Sequence, residues 1–325
     1  MKPGREDTPP APDSGIGEFS LIARHFRPLA GEGALDLLDD AALITPPAGQ
    51  ELVLAADAMV AGVHFLPDDP PETIGRKLLR VNLSDLAAMG ATPLGYLMTI
   101  ALPQGTADEW VASFAAGLAL DQRAFGLRVL GGDTVSTPGP LTLSLTILGA
   151  VPAGAALRRV GARPDDDVWV SGRIGDGHLG LRAARGEIAD PGGALAARYR
   201  LPEPRLALGV ALRGLARACM DVSDGLLQDL SHLCRAGGCA AEVEGALVPV
   251  SQPGAPLIPL VTGGDDYELI FAAAPQDRAA VEAAAADART PVTRIGHFTT
   301  GAPRVTLRDA HGNDQTPEKL GWSHV

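Results

Sequence analysis

The sequence is poor in cysteine and in aromatic residues, and each shortage excludes a class of function. Its 325 residues include 3 cysteines, none of them in a Cys-x-x-Cys pair, so we predict neither a disulfide framework nor a tetrahedral zinc site. Aromatic residues make up 4% of the chain, which argues against platforms that stack nucleic-acid bases. Unpaired cysteines fit a reducing compartment, so we expect a cytoplasmic protein.

Positive charge and long hydrophobic runs are also scarce. The chain has 27 Lys and Arg against 39 Asp and Glu, giving a net charge of -12. Because nonspecific binding to nucleic acid or anionic membranes needs a basic surface, we expect neither partner. The longest weakly polar stretch, residues 86–102, contains Gly90, Pro93 and Gly95 and is not a membrane span. Residues 1–16 lack the apolar segment of a signal peptide and predict a disordered tail.

Length and pattern predict two domains of mixed α/β structure. At 325 residues the chain exceeds the usual size of one core, and 46% hydrophobic residues suffice for burial. The regular pattern breaks after residue 151, which places the domains at 17–151 and 152–325. Apolar runs predict strands at 52–58, 94–102 and 127–130, and a period-two pattern predicts a strand at 141–147. Helices are predicted at 72–89, 107–125 and 205–218.

Single aspartates recur in small-residue turns and beside apolar segments. The set consists of Asp40, Asp57, Asp85, Asp133, Asp221 and Asp224. An aspartate beside glycine is usually only a turn residue. Asp57 and Asp85 have no such explanation, because Asp57 closes an apolar run and Asp85 falls on the apolar face of a predicted helix. Hard divalent cations prefer oxygen ligands, so the set predicts Mg²⁺ and an enzyme that uses ATP.

Other motifs leave two interpretations open. The glycine-rich loop at residues 172–177 could hold phosphate, but its spacing matches no Walker A or dinucleotide motif, and we favour a structural turn. His64 could contact substrate or be a half-buried histidine beside Phe65. Arg159, paired with Arg158, could clamp phosphate or lie on the surface. Trp322 could stack on a flat ring or pack the C-terminal segment.

Seven strings occur in the order found in the thiamine-monophosphate kinase family, which the chain closely resembles from Gly17 onward. They are Gly17-Glu18-Phe19-Ser20-Leu21-Ile22, Asp39-Asp40-Ala41-Ala42, Ala61-Gly62-Val63-His64-Phe65, the string from Val81 to Ala91 that reads VNLSDLAAMGA, Gly131-Gly132-Asp133-Thr134, Asp221-Val222-Ser223-Asp224-Gly225-Leu226 and Gly264-Asp265-Asp266-Tyr267-Glu268-Leu269. The resemblance implies the two-domain fold of the aminoimidazole-ribonucleotide synthetase superfamily and a homodimer formed through the N-terminal sheet. It also implies Mg²⁺-dependent transfer of the γ-phosphoryl group of ATP to thiamine monophosphate.

The resemblance further implies a role for individual residues. The six aspartates would be Mg²⁺ ligands, and Asp133, Asp221 and Arg159 would carry catalysis. Gly132, Asp133, Arg159 and Ser223 would contact nucleotide, while His64, Asp265 and Trp322 would contact thiamine. Family members commonly have Ser-Thr where this chain has Ala55-Ala56, and Glu-Asp where it has Asp265-Asp266.

The expected mechanism is direct in-line transfer. At neutral pH a phosphate monoester is already largely ionised, so the acceptor needs no strong general base. Two rivals remain open from sequence: another ATP-dependent member of the same superfamily, and a noncatalytic metal or nucleotide sensor. Against the first, no cysteine precedes Cys219, and the chain ends in Trp322-Ser323-His324-Val325 without the terminal cysteine of the hydrogenase-maturation relatives.

Overall fold

The computed structural model describes residues 17–323, which form one sheet of four strands and one of six. The predicted tail at residues 1–16 lies outside this range. The strands are β1 (Gln50–Val60), β2 (Thr92–Pro103), β3 (Arg128–Thr137), β4 (Thr142–Pro152), β5 (Asp167–Ser171), β6 (Ala216–Val222), β7 (Ala240–Glu244), β8 (Glu268–Ala273), β9 (Val292–Thr299) and β10 (Val305–Arg308). The α-helices are α1 (Glu18–Leu21), α2 (Pro71–Ala88), α3 (Asp108–Phe125), α4 (Asp176–Ala184), α5 (Ala194–Arg200), α6 (Leu206–Ala211), α7 (Leu226–Gly237), α8 (Leu257–Thr262) and α9 (Arg278–Asp287).

The N-terminal sheet is covered by helices on one face only. Its strand order is β1-β4-β2-β3, with β2 and β3 parallel and the other pairs antiparallel. Leu143 and Leu145 alternate with half-buried polar residues along β4 and pack toward α2 and α3, as the period-two pattern predicts. The opposite side, which we call the open sheet face, exposes Leu54, Leu97 and Val135.

Helix α2 joins the two domains. It begins with Pro71 at its first position and an acidic Glu72 in the first turn, and both residues favour a helix start. It ends before Gly90, whose φ of +65° closes the helix in the left-handed region. Ala87 and Ala88 pack in the same cluster as C-terminal residues such as Phe271, so this helix is buried from both sides.

The C-terminal sheet has the order β10-β7-β9-β5-β8-β6. Only the β10–β7 pair is parallel. Every residue of β8 is buried, because one face packs against α7 and the other against α6 and α9. Leu230 of α7 lies in the first of these clusters and Val281 of α9 in the second. This arrangement is the mixed α/β, two-domain fold expected from the sequence.

The predicted helix at residues 205–218 is wrong in its second half. Helix α6 ends at Ala211, and residues 216–222 instead form β6, which pairs with β8. Gly214, with a φ of +76°, interrupts the helix, and the sheet supplies the hydrogen bonds that a continued helix would have made. Among residues 17–323, no helix combines the length and apolar character needed to cross a bilayer.

Candidate active site

Four of the six predicted aspartates converge where the domains join. Asp57 lies on β1, Asp85 on α2, Asp221 on β6 and Asp224 in the turn before α7. Burial and then the charge of Asp224 raise the pKa of Asp57. Burial, followed by the charges of Asp221 and Asp57, raises the pKa of Asp85 to about 8. Carboxylates from three separate elements therefore share one electrostatic environment.

A serine and an arginine moderate this negative charge. Burial raises the pKa of Asp221 to about 6, although the hydrogen bond from Ser84 opposes the increase. Ser84 Oγ donates to Asp221 Oδ2 at 2.8 Å and so links α2 to β6. The positive charge of Arg159 partly offsets the increase in the pKa of both Asp85 and Asp221. Arg159 itself is exposed, so its guanidinium is available to an anionic ligand beside the carboxylates.

The turn that carries Asp224 is held by a residue that sequence reasoning missed. Gly225 occupies the N-cap position of α7, and no side chain caps it. Asp229 Oδ2 instead accepts the backbone N–H groups of Asp224 and Gly225 at 3.0 and 3.1 Å. Because Asp229 accepts the backbone N–H groups of this turn, the Asp224 side chain does not cap α7. The sequence signal for this role of Asp229 is the position of an acidic residue in the first turn of α7.

The residues expected to contact thiamine lie beside this acidic group. Asp265 adopts a left-handed φ of +64°, and its N–H donates to Ser223 O at 2.8 Å. Burial, then the charges of Asp265 and of the acidic group, raises the pKa of Tyr267 well above its ordinary value. The backbone N–H of Trp322 donates to Asp224 O at 2.9 Å, and half of its surface is exposed (50%). The chain thus places Ser223, Asp265 and Trp322 at one location.

His64 lies in the loop after β1. Its Nδ1 accepts the backbone N–H of Val60 at 3.0 Å, which fixes the tautomer with the proton on Nε2. Its carbonyl accepts Lys77 Nζ at 3.0 Å, and the same ammonium group binds Asp265. His64 is therefore connected to Asp265 through one shared partner, Lys77.

Asp40, Gly132 and Asp133 lie elsewhere, around a cavity of about 660 Å³ on the open sheet face. Asp133 pairs with Thr99, whose side chain is exposed, whereas Asp57 belongs to the alternate residues that face the helices. Strands β1 and β3 are the two edges of the sheet, roughly 14 Å apart at the usual strand spacing. A single chain consequently brings four of the expected ligands together and leaves Asp40 and Asp133 on another face.

Position 132 requires glycine because the backbones of β2 and β3 approach each other closely there. Its φ is +154°, and a Cβ atom at this position would lie 1.8 Å from the carbonyl oxygen of Met98. Any side chain would therefore push β3 away from β2. The Gly-Gly-Asp string thus has a structural cause in addition to any contact with nucleotide.

The donor set fits a hard cation by its chemistry, since Asp57, Asp85, Asp221 and Asp224 all offer carboxylate oxygens. Among residues 17–323, no group of three or more His, Cys, Asp or Glu side chains is arranged to hold a metal ion. The four aspartates are thus neighbours, but within residues 17–323 they do not form a closed ligand shell.

The glycine-rich loop at residues 172–177 is occupied by a protein carboxylate. Asp266 accepts the backbone N–H of Gly175 at 2.9 Å and that of Gly177 at 2.9 Å. A Cβ atom at Gly172 would lie 2.0 Å from Glu268 Oε1, so the loop packs directly on β8. The backbone N–H groups that could have bound phosphate already donate to Asp266, so the loop is better explained as a structural turn.

Comparison with known proteins agrees with this architecture. Residues 38–151 match the model of the AIR synthase related protein N-terminal domain, and residues 163–308 match that of the C-terminal domain. The fold and the placement of the acidic residues therefore define a two-domain protein of the AIR synthase related class.

Individual relatives narrow the class further. The chain is 47% identical to thiamine-monophosphate kinase from Caulobacter vibrioides, over 94% of this chain and 90% of that protein. The solved structure of thiamine-monophosphate kinase from Stenotrophomonas maltophilia is 38% identical, with a TM-score of 0.77, over 83% of this chain and 89% of that one. AaThiL, solved in complex with AMPPCP and TMP, is 28% identical, with a TM-score of 0.76, over 95% and 97% of the two chains. The chain belongs to the thiamine-monophosphate kinase family.

Proposed function

We propose that this protein transfers the γ-phosphoryl group of ATP to thiamine monophosphate and forms thiamine diphosphate. The observation that carries the proposal is the convergence of Asp57, Asp85, Asp221 and Asp224 beside Arg159 at the domain junction. Family membership supports the same reaction, and the complex of AaThiL with AMPPCP and TMP supports the pairing of a nucleotide with a phosphorylated acceptor.

We assign Asp57, Asp85, Asp221 and Asp224 to Mg²⁺, together with Asp40 and Asp133. Bound Mg²⁺ would neutralise phosphate charge and orient the transferred group. The raised pKa values of Asp85 and Asp221 support this assignment, because burial and mutual repulsion make these carboxylates unfavourable as bare anions. A cation between them would relieve both effects.

The protein side of the reaction is mainly positioning and charge. Arg159 would hold phosphate oxygens from the exposed side, while the backbone of Gly132 and the side chain of Ser223 would contact the nucleotide. His64, Asp265 and Trp322 would hold the thiamine end, with the exposed indole stacking on a ring. Because the acceptor oxygen is already ionised, no general base is assigned.

We propose single in-line displacement without a phosphoenzyme. ATP made chiral at its γ-phosphorus should then give thiamine diphosphate with inverted configuration, since one displacement inverts the centre. Retention of configuration, or a labelled protein recovered after mixing with γ-labelled ATP, would instead require two displacements.

We propose that two copies pair through the open sheet face, which exposes Leu54 and Leu97, 62% and 41% accessible respectively. A two-fold arrangement that closes two such sheets on each other sets β1 of one copy beside β3 of the next. That contact would bring the β3 edge of one copy, which carries Asp133, beside the β1 edge of the other. Leu54→Glu should convert the dimer to monomers in sedimentation analysis and abolish activity. A variant that remained a dimer would contradict this interface.

A cytoplasmic location remains our proposal. Cys219, Cys234 and Cys239 are all buried free thiols, which supports a reducing compartment.

The direct test combines the protein with ATP, Mg²⁺ and thiamine monophosphate and identifies products by mass. We expect ADP and thiamine diphosphate in equal amounts, and none with Asp221→Asn. ADP release accompanied by free phosphate, with thiamine monophosphate unchanged, would contradict the assignment of acceptor. Free thiamine in place of thiamine monophosphate controls for uncoupled hydrolysis.

A further inference from the structure

Lys77 is a buried cation at the junction between the two domains. It lies on α2, and only 3% of its side chain is exposed. Its ammonium group donates to Asp265 Oδ2 at 2.9 Å and to the carbonyl of His64 at 3.0 Å. Nζ also lies 3.8 Å from the centre of the Tyr199 ring. Burying a lysine ammonium group costs free energy unless its charge is paired, and these contacts supply the pairing.

The partners of Lys77 come from three parts of the chain that are remote in sequence. His64 belongs to the loop after β1, Asp265 to the turn before β8, and Tyr199 to α5. Asp265 has a left-handed φ of +64°, which is uncommon for residues other than glycine. One ammonium group therefore sets the separation between the loop of one domain and the turn of the other.

A second contact fixes the far end of the same loop. Arg200 Nε donates to Asp69 Oδ1 at 2.6 Å, and Asp69 Oδ2 accepts the N–H of Leu66 at 2.9 Å. The loop from Ala61 to Asp69 is thus attached to the C-terminal domain at two points, by Lys77 in its middle and by Arg200 at its end. Its position relative to Asp265 is determined by these contacts across the domains.

We propose that Lys77 is a positioning residue for the acceptor substrate. It acts through His64 and Asp265, and it holds the two thiamine-side groups at the separation that thiamine monophosphate requires. This inference rests on the proposed function, because it presumes that His64 and Asp265 contact thiamine. The carboxylate at position 265 is one methylene shorter than the glutamate common in the family, and Lys77 still reaches it.

The expected signature is a selective change in substrate affinity. Lys77→Met removes the charge and both hydrogen bonds, so the KM for thiamine monophosphate should rise about 10- to 100-fold, the loss typical of charge-assisted hydrogen bonds. The KM for ATP should stay within about twofold, because the partners of the Lys77 ammonium group, His64, Asp265 and Tyr199, are not assigned to nucleotide. Lys77→Gln, which keeps a polar amide, provides a second variant should Lys77→Met fold poorly.

Arg213→Gln is the matched control. Arg213 Nε donates to Gly90 O at 2.7 Å, which is also a contact between the domains but lies at the other end of α2. If the lysine acts only by docking the domains, the control should shift the same parameters. We expect Arg213→Gln to lower thermal stability without raising the KM for thiamine monophosphate.

A double variant tests the assigned pathway. If Lys77 acts by holding Asp265, then Lys77→Met combined with Asp265→Asn should be no worse than the worse single variant. Equal increases in both KM values, a loss confined to kcat, or fully additive effects would overturn the inference. Absence of thiamine diphosphate formation by the unaltered protein would instead overturn the proposed function, so the two failures are distinguishable.

Discussion

Replacement of Glu268 by glutamine removes a buried charge while keeping the shape of the side chain. The Glu268 carboxylate is fully buried at the start of β8. Oε2 accepts Arg205 Nε and Ser171 Oγ, each at 2.6 Å, and Oε1 accepts Arg205 Nη2 at 2.6 Å and Arg198 Nη2 at 3.2 Å. Burial alone would lower the pKa of Arg205, but hydrogen bonding to Glu268 raises it. The pair is therefore mutually dependent.

The expected loss of stability in Glu268→Gln depends on the charges that remain after the substitution. Glutamine leaves the mostly buried Arg205 guanidinium, whose side chain is 14% exposed, without the charge of Glu268. The loss of one partner of a buried pair costs about 3–5 kcal/mol of unfolding free energy. The matched control is Glu242→Gln, since Glu242 pairs with Arg308 at 2.8 Å where both side chains are 31% exposed. Solvent screening should keep the loss of unfolding free energy in Glu242→Gln small.

Urea unfolding at neutral pH, followed by circular dichroism, measures both variants against the unaltered chain. We expect Glu268→Gln to shift the transition of the C-terminal domain strongly toward low urea and Glu242→Gln to leave it nearly unchanged. Equal shifts would refute the reasoning, because burial would then not distinguish the two ion pairs. Arg205→Met combined with Glu268→Gln should recover part of the loss, as no buried cation remains unpaired.

Three further predictions concern the sheet, the tryptophan and the pH dependence of stability. Gly132→Ala should abolish kinase activity and lower the melting temperature, because the new Cβ would meet Met98 O at 1.8 Å; a fully active variant would contradict the close approach. Trp322→Ala should raise the KM for thiamine monophosphate while Trp322→Phe retains most affinity, and equal effects would argue against ring stacking at this 50% exposed side chain. Burial, then the charge of Arg182, lowers the pKa of His178. Its stabilising contribution is therefore present above about pH 6.5 and lost as the pH falls below it, so melting of His178→Gln should be less acid-sensitive than that of the unaltered chain.

Local sequence patterns predict the N-terminal domain well. The helix expected at 72–89 is α2 at Pro71–Ala88, and the strand expected at 94–102 is β2 at Thr92–Pro103. Both carry strong periodicity, and their ends are marked by proline or glycine. Residues 216–222 were assigned in part to a helix, because alanine and leucine favour helices and the pairing of this segment with β8 is a long-range contact.

The sequence singles out acidic residues more readily than it predicts how the fold brings them together. The aspartates could be selected because Asp57 and Asp85 stand on apolar segments, where a carboxylate needs a partner. That Asp133 lies on the opposite face, at the other edge of the sheet, depends on strand order, which periodicity does not encode. Lys77 was missed because a lysine within a helix is ordinarily solvated, and only the packing of α2 between the domains buries it.

Subunit mixing tests most directly whether the kinase site is shared between two copies. Asp133→Asn and Asp221→Asn proteins, each expected to be inactive alone, are co-expressed, and thiamine diphosphate formation is measured. If β3 of one copy completes the acidic group of the other, every mixed dimer contains one unaltered site, and random assembly should restore about a quarter of the normal activity. Activity no higher than that of either variant alone would contradict a site shared across the open sheet face.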